Sequence, residues 1–279
     1  MNKAILFKIL QIQNKFRNPK NGLTIPENFV YSSDEFSTAL NYLKDLERLK
    51  INYTFPGDLN YPHAFYKMIE PPLFLEYFGQ PVWNSLPLFS VVGSRKIHSL
   101  SVLWMKEHLK TLLANSNYRI ASGGAIGVDL LSHTISVMNS QPTVAILPSG
   151  LSKLSPMDFR RLAPAVIRAG GALLSEFEHL SEPRKEYFFF RNRLIAAMGA
   201  LTLVVQAQNR SGTFLTVHHA LQNGRPVMAV PTHPSIECFS GNLILLQDGA
   251  ISASNEAEVR MYLQTEIEFN AQPQQAYSV

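Results

Sequence analysis

The sequence predicts an α/β protein built around a doubly wound, mostly parallel β-sheet, with a small helical appendage at the N-terminus. From Leu88 onward, short apolar runs alternate with segments of helical periodicity, which is typical of buried parallel strands joined by helical connections. The apolar runs end repeatedly in turns of glycine and serine. Hydrophobic residues make up 46% of the chain and charged residues only 16%, so a sizeable core is expected.

The first unit of this pattern is a strand over residues 88–92 followed by a helix with one apolar face. That face comprises Val102, Met105, Leu109, Leu112 and Leu113. Further strands are predicted over residues 118–121, 143–147, 172–176, 201–206 and 227–230. The helices between them are predicted to end near residue 138, to span 158–169, to begin at Arg191, and to span 213–223.

In the helix over 213–223, one apolar face is expected to be buried, and Gly224 stands where a C-terminal cap belongs. The face comprises Phe214, Val217, His218 and Leu221. We therefore expect His218 to be packed in the core rather than to serve as a ligand for a bound group.

The region before Leu88 lacks the regular alternation of apolar strands and helices. Helices are predicted over 4–16 and 33–50, separated by a loop at 18–28, and a short strand lies within 71–79. We therefore divide the chain into a helical N-terminal region with its connector (1–78), a main domain (79–265) and a polar tail (266–279).

Composition narrows the possible functions. The net charge is +4 and the pI is near 9.1, which is compatible with a nucleic-acid partner without requiring one. Cys238 is the single cysteine, so an internal disulfide and a cysteine-based zinc site are excluded. No apolar run approaches the length of a membrane span. We expect a cytoplasmic protein without membrane contact, metal or cofactor.

The turn Gly93-Ser94-Arg95 is the leading candidate for an anion site. It joins a buried strand to a helix N-terminus, where free backbone N–H groups and the helix dipole favour negative charge. Arg95 adds a planar fork of donors suited to phosphate, and Gly93 would let a ligand approach the backbone. An ordinary strand-to-helix turn with a surface arginine explains these residues equally well.

Other polar turns fall at predicted strand ends, and in open α/β sheets ligands bind beyond those ends. Ser211-Gly212-Thr213 opens a helix and is a second candidate anion site. The remaining turns are Ser122-Gly123-Gly124, Ser149-Gly150 and Ser175-Glu176. None of them matches the GxGxxG dinucleotide fingerprint or a P-loop.

The segment 184–193 places four consecutive aromatic residues between basic ones. Cations that meet phosphates and rings that stack on bases are what binding of a single nucleic-acid strand requires. The plainer interpretation is that the phenylalanines are core residues and the arginines are solvated, and we expect both to hold in part.

Catalytic constellations are sparse. Asp129 and His133 lie one helical turn apart, which a local side-chain pair or a cap explains as well as chemistry does. Glu176 follows a strand and could be an acid, but no partner for it is evident. We therefore predict no catalytic residues and favour a binding protein over an enzyme.

Taken together, these residues resemble the DprA/Smf family, the DNA-processing proteins of bacterial transformation. The resemblance runs from about residue 58 to residue 250. Its markers are Val91-Val92-Gly93-Ser94-Arg95, Ser122-Gly123 with Gly127-Val128-Asp129 and His133, Ser175-Glu176-Phe177, Phe188 with Arg191-Asn192-Arg193, Ser211-Gly212-Thr213 with Thr216, and Gly224-Arg225-Pro226-Val227.

The resemblance implies an extended Rossmann-like domain that binds single-stranded DNA as a homodimer. It also implies protection of incoming strands and loading of the recombinase RecA, with no catalytic step. By position, Arg95 would hold a backbone phosphate with help from Gly93 and Ser94, and Lys185 would contact another. Phe188 would stack on a base. The remaining implied groove residues are Arg191, Arg193, Ser211, Gly212 and Thr213.

The sequence departs from the family pattern at polar positions of the implied pocket. Ile126 stands where arginine is usual, Gln206 where glutamate is, Thr232 where glycine is, and Leu243 where asparagine is. Loss of a cation at Ile126 should weaken phosphate binding, and loss of the carboxylate at Gln206 shifts the charge in the opposite sense.

Two other functions stay open on the same fold. Phosphoribohydrolase-like enzymes carry a glycine-rich turn followed shortly by glutamate, but residues 214–221 contain no carboxylate, which argues against N-glycosidic hydrolysis. A sensor of small nucleotides, with the N-terminal helices as relay, is the third possibility.

Overall fold

The computed structural model describes residues 2–14 and 29–271. Their centre is a nine-stranded sheet in the order β1-β2-β6-β5-β4-β3-β7-β8-β9. β3 to β9 run parallel to one another, β2 pairs antiparallel with β6 at one edge of this parallel sheet, and β1 pairs antiparallel with β2. The strands are β1 Asn52–Thr54, β2 Leu75–Gly79, β3 Leu88–Gly93, β4 Arg119–Ser122, β5 Thr143–Ile146, β6 Ala172–Ser175, β7 Thr202–Gln206, β8 Val227–Ala229 and β9 Ile251–Ser252. The predicted doubly wound, mostly parallel, Rossmann-like sheet is confirmed.

Helices cover both faces of the sheet. They are α1 Lys3–Asn14, α2 Ser33–Arg48, α3 Ser99–Trp104, α4 Lys110–Ala114, α5 Val128–Met138, α6 Met157–Arg168, α7 Lys185–Met198, α8 Thr213–Gln222, α9 Ser240–Gln247 and α10 Glu256–Ala271. A π-helical turn, Met105–Leu109, joins α3 to α4. Short 3₁₀ segments occupy His63–Lys67, Val82–Asn84 and Glu237–Phe239.

The core follows from the alternation of side chains along each strand. Val92, Ile146 and Val204 point to the face covered by α7 and α8. Their strand neighbours point to the opposite face, where the π-helical turn, α4, α5 and α10 pack on one part of the sheet and α1, α2 and α6 on another.

Two helices depart from their sequence-based predictions. α7 begins at Lys185 rather than at Arg191, so the aromatic segment belongs to the helix. In α8 the predicted buried face is confirmed for Val217 and for the partly buried Phe214, and it is wrong for His218 and Leu221, which are exposed. Val217 shares the buried face with the small residues Thr216 and Ala220, which lets α8 pack closely against α7. Gly224 takes a φ of +63°, as its capping position predicts.

The N-terminal helices are joined to the sheet. α2 begins at Ser33, as predicted, and its N-cap Ser32 forms a capping box with Glu35. Phe7 and Leu46 share a hydrophobic cluster with Leu173 of β6. The proposed boundary at residue 78 falls inside β2, which pairs with β6. The predicted loop at 18–28 and the end of the tail, 272–279, lie outside the described residues.

A buried polar cluster also fixes this region. Lys8 is fully buried, and its Nζ lies 2.9 Å from Glu178 Oε1 and 3.8 Å from the centre of the Tyr42 ring. The Tyr42 hydroxyl donates to Glu76 in β2, and burial raises the pKa of Glu76 to about 8. The cluster therefore connects α1 and α2 to β2 and to the loop after β6.

Candidate nucleic-acid interface

A cavity of about 1100 Å³ opens at the carboxyl edge of the sheet, beside the ends of β3 and β7. The strand order reverses at this pair, since the chain continues from β3 to β4 on one side and returns to β7 on the other. Such a switch point is where open α/β sheets bind their ligands. Every predicted site residue except Arg193 lines the cavity: Gly93, Ser94, Arg95, Lys185, Phe188, Arg191, Ser211, Gly212 and Thr213.

The Gly-Ser-Arg turn is held by backbone and side-chain hydrogen bonds. Ser94 N donates to the Gln206 carbonyl at 2.8 Å, and the Ser94 carbonyl accepts from Val128 N at 3.1 Å. Ser94 Oγ donates to the Lys96 carbonyl at 2.9 Å. These contacts leave the Arg95 side chain exposed at the cavity.

Glycine is required around this turn for packing. A Cβ on Gly93 would lie 2.7 Å from Val128 Cγ2 and 2.8 Å from the Gln206 carbonyl oxygen. Gly127 has a φ of +87°, and a Cβ there would lie 2.2 Å from the Ser94 carbonyl oxygen. Close approach of β3, β7 and α5 therefore explains Gly93, whereas the sequence suggested room for a ligand.

Gln206 supports the same turn from β7. Its Oε1 accepts from His98 N at 2.8 Å and from Ser101 Oγ at 2.9 Å, and its Nε2 donates to the Lys96 carbonyl at 3.1 Å. A carboxylate could accept but not donate, so the amide suits all three partners. Gln206 is thus a structural residue beneath the turn.

The four departures from the family pattern lie outside the cavity lining. Ile126 is exposed beyond it, and Thr232 and Leu243 are partly buried elsewhere. The expectation that these positions belong to the pocket is therefore wrong for this chain, and the charge of the cavity is set by other residues.

Phe188 lies between the candidate phosphate contacts. The Arg95 guanidinium carbon is 4.9 Å from the centre of the Phe188 ring, and that of Arg191 is 5.8 Å from it. Both distances are within the range of cation–π attraction. The ring therefore positions two guanidinium groups at the wall of the cavity, while Lys185 is exposed one helical turn earlier.

Arg191 is a buried cation. Only 3% of the residue is exposed, and its Nη1 donates to the Ile146 carbonyl at 3.0 Å. A Cβ on Gly123 would lie 1.6 Å from that Nη1 and 2.6 Å from Asp129 Oδ2, so the glycine gives the two side chains their space. Burial lowers the pKa of Arg191 to about 10, which leaves it charged at neutral pH.

Asp129 brings a carboxyl group into the cavity. Burial raises its pKa to about 6, although Arg191 and hydrogen bonds from Ala125, Ser122 and Gly123 act in the opposite direction. The suggested pair with His133 does not form. His133 Nδ1 lies 2.9 Å from Thr143 Oγ1, and burial lowers the pKa of this histidine to about 3.

Asp129→Asn should remove one pH-dependent component of stability. The folded-state pKa of Asp129 lies above its ordinary value of 3.8, so its contribution is complete below about pH 4 and is lost as the pH rises through about 6. The free energy of unfolding of wild type relative to the variant should fall by on the order of 3 kcal/mol across that window. Urea titrations at pH 4 to 7 measure it, and parallel pH profiles of the two proteins would contradict it.

Arg193 lies away from the cavity. Its Nη2 donates to both carboxylate oxygens of Glu176, at 2.7 and 2.8 Å. Both side chains are largely buried. Arg193 therefore does not line the cavity with the other predicted site residues, and Glu176, for which the sequence suggested no partner, has a bidentate one.

The turn 211–213 also lines the cavity. Thr213 begins α8, and a Cβ on Gly212 would meet no atom within 4 Å, so the backbone there is accessible. Ser211 Oγ is buried and finds no hydrogen-bond partner within the described part of the chain. These groups suit a ligand that accepts hydrogen bonds.

Several lining residues were not among the site residues predicted from the sequence: Asp129, Phe189, Phe190, Asn192, Gln208, Leu215 and Thr216. Helical spacing could have revealed part of this set. Residues 185, 188, 189 and 192 lie on one face of a helix, and all four line the cavity.

Within the described residues, no group of three or more histidine, cysteine, aspartate or glutamate side chains is placed to hold a metal ion.

The fold and the cavity define a Rossmann-like α/β protein with a cationic, aromatic-lined cavity at the switch point of its sheet. The family model of DNA recombination-mediator protein A matches residues 52–264, and the chain belongs to this family. None of the described helices has the length and apolarity needed to span a membrane.

Curated relatives include Protein Smf of Escherichia coli, 34% identical over 63% of this chain and 46% of that protein. DNA processing protein DprA of Bacillus subtilis is 32% identical over 68% of this chain and 64% of that protein. Protein Smf of Synechocystis is 29% identical over 75% of this chain and 53% of its own length. The chain thus spans about half the length of the first curated relatives it matches.

Two solved structures share the fold. DNA processing protein A from Streptococcus pneumoniae superposes with a TM-score of 0.72 at 23% identity, covering 93% of each chain. The Helicobacter pylori protein, described for its single-stranded DNA binding mode, gives a TM-score of 0.67 at 24% identity over 78% of this chain and 97% of that one.

Proposed function

We propose that this protein binds single-stranded DNA in the cavity and acts as a recombination mediator. The proposal rests mainly on one observation, which is that Arg95, Lys185 and the aromatic face of α7 line the same cavity. Cations beside rings suit a strand whose phosphates need charge and whose bases need stacking surfaces. The single-stranded DNA binding of the Helicobacter pylori relative supports the proposal.

In this proposal the protein is a cytoplasmic homodimer that protects incoming strands and loads RecA onto them during transformation. Family membership supports this role. It predicts that strand exchange by RecA on DNA coated with single-strand-binding protein proceeds faster when this protein is added. It also predicts a molecular mass in solution of twice that of one chain.

Titration of a fluorescent oligo-dT and of a duplex of equal length tests the binding step. The oligo-dT should bind more tightly, because its bases can reach the rings while those of a duplex are stacked and paired. Affinity should also fall steeply between 50 and 200 mM salt as counterion release loses its driving force. Equal or tighter binding of the duplex would contradict the proposal.

A nucleotide-processing enzyme is the second candidate, and Asp129 favours it. A buried carboxyl group with a pKa near 6 has the properties of a general acid or base. No carboxylate follows the turn at 211–213 in α8, where phosphoribohydrolase-like enzymes carry glutamate. Incubation with nucleoside monophosphates decides between the two, since release of free base would favour the enzyme and its absence the binding protein.

A further inference from the structure

We infer that the exposed ring of Phe189, with Leu215 and His219 beside it, is the surface on which bases of the bound strand stack. This inference deepens the proposed function and depends on it. It assigns the base contact to a different ring from the one that the sequence suggested, Phe188.

Phe188 is already engaged by other groups. Two guanidinium groups, those of Arg95 and Arg191, lie within cation–π distance of its ring. A base stacked on Phe188 would have to displace or share these contacts. Phe188 therefore acts mainly on the phosphate side of the cavity, by fixing the arginine side chains.

Unlike Phe188, Phe189 presents an exposed ring. It lines the cavity, yet 47% of the residue is exposed. Its described ring contacts are T-shaped, to Phe190 at 5.8 Å and to His219 at 6.0 Å. A large aromatic side chain left this exposed at the mouth of a cationic cavity is suited to a flat, apolar ligand surface such as a nucleobase.

The neighbours of Phe189 extend the same surface. Leu215 of α8 also lines the cavity and is 38% exposed. Burial lowers the pKa of His219, so its ring is neutral at physiological pH and adds an aromatic edge without charge. Lys185 lies one turn before Phe189 on the same face of α7, about 6 Å along the helix axis. One strand can thus contact a cation and a ring in succession.

Phe189→Leu should weaken oligo-dT binding about tenfold, since it removes the aromatic ring and keeps an apolar side chain. The slope of affinity against salt should stay that of wild type, because the slope counts phosphate contacts. Phe189→Trp should restore or exceed wild-type affinity. Leu221→Ala, at an exposed leucine of α8 outside the cavity, is the matched control and should bind as wild type.

An abasic strand of equal length provides the second measurement. Wild type should bind it about as weakly as Phe189→Leu binds oligo-dT, and the variant should lose nothing further. The outcomes distinguish failure of this inference from failure of the proposed function. If Phe189→Leu binds oligo-dT like wild type while Arg95→Ala is weakened, the inference that bases stack on Phe189 is overturned and the proposed function stands. If wild type fails to bind oligo-dT at all, the proposed function itself fails. A variant with an altered salt slope or lowered thermal stability would assign Phe189 a structural role.

Discussion

Glu176→Ala should lower the free energy of unfolding by about 3–5 kcal/mol, the usual cost of removing one partner from a buried ion pair. Arg193 donates to both oxygens of this carboxylate from a largely buried position. Its Nε and Nη1 find no other partner in the described part of the chain. The variant would therefore keep a desolvated cation with nothing to balance it. Urea unfolding followed by circular dichroism measures the loss.

Two comparisons separate this effect from ordinary loss of contacts. Asp158→Ala breaks the exposed pair with Arg161, which should cost no more than about 1 kcal/mol. The double variant Glu176→Leu, Arg193→Met should be far more stable than Glu176→Ala, because no charge remains buried. A loss for Glu176→Ala as small as that for Asp158→Ala would show that the ion pair adds little to stability.

The main sheet could be predicted from the sequence because its strands are buried on both faces. Continuous apolar runs mark β3 to β8, and the predicted ends differ from the observed ones by at most one residue. β9 was not predicted, since two residues, Ile251 and Ser252, carry no periodic signal. The start of α7 was misplaced because aromatic residues such as Phe189 and Phe190 have weaker helix propensity than Ala or Leu. Packing against the sheet decides their conformation.

The site could be predicted to the extent that sheet geometry determines it. The carboxyl ends of parallel strands lie at the same edge of a sheet, so the turns after the neighbouring strands β3 and β7 must lie near each other. Arg191 and Arg193 could not be separated in this way. Residues two apart on a helix point about 200° away from each other, so only one of them can face the cavity. Which one does so depends on the rotation of α7, which tertiary packing sets.

Arg95→Ala and Lys185→Ala should each weaken oligo-dT binding about 10- to 100-fold, the effect of losing a charge-assisted hydrogen bond to phosphate. Each variant should also reduce the slope of log affinity against log salt by about 0.7, the value for one phosphate contact on a single strand. Arg95→Lys should recover only part of the loss, since an ammonium group cannot reproduce the planar fork and its packing on Phe188. Fluorescence anisotropy at several salt concentrations measures both quantities.

Arg168→Ala is the matched control for these variants. Arg168 is an exposed cation at the end of α6, and α6 leads into the amino end of β6, at the edge of the sheet opposite the cavity. Its loss removes the same charge from the molecule, so any effect of net charge alone would appear equally in all three variants. If Arg168→Ala weakened binding as much as Arg95→Ala, the attraction would be diffuse rather than local to the cavity. A selective loss in Arg95→Ala and Lys185→Ala would place the strand between the Gly-Ser-Arg turn and α7.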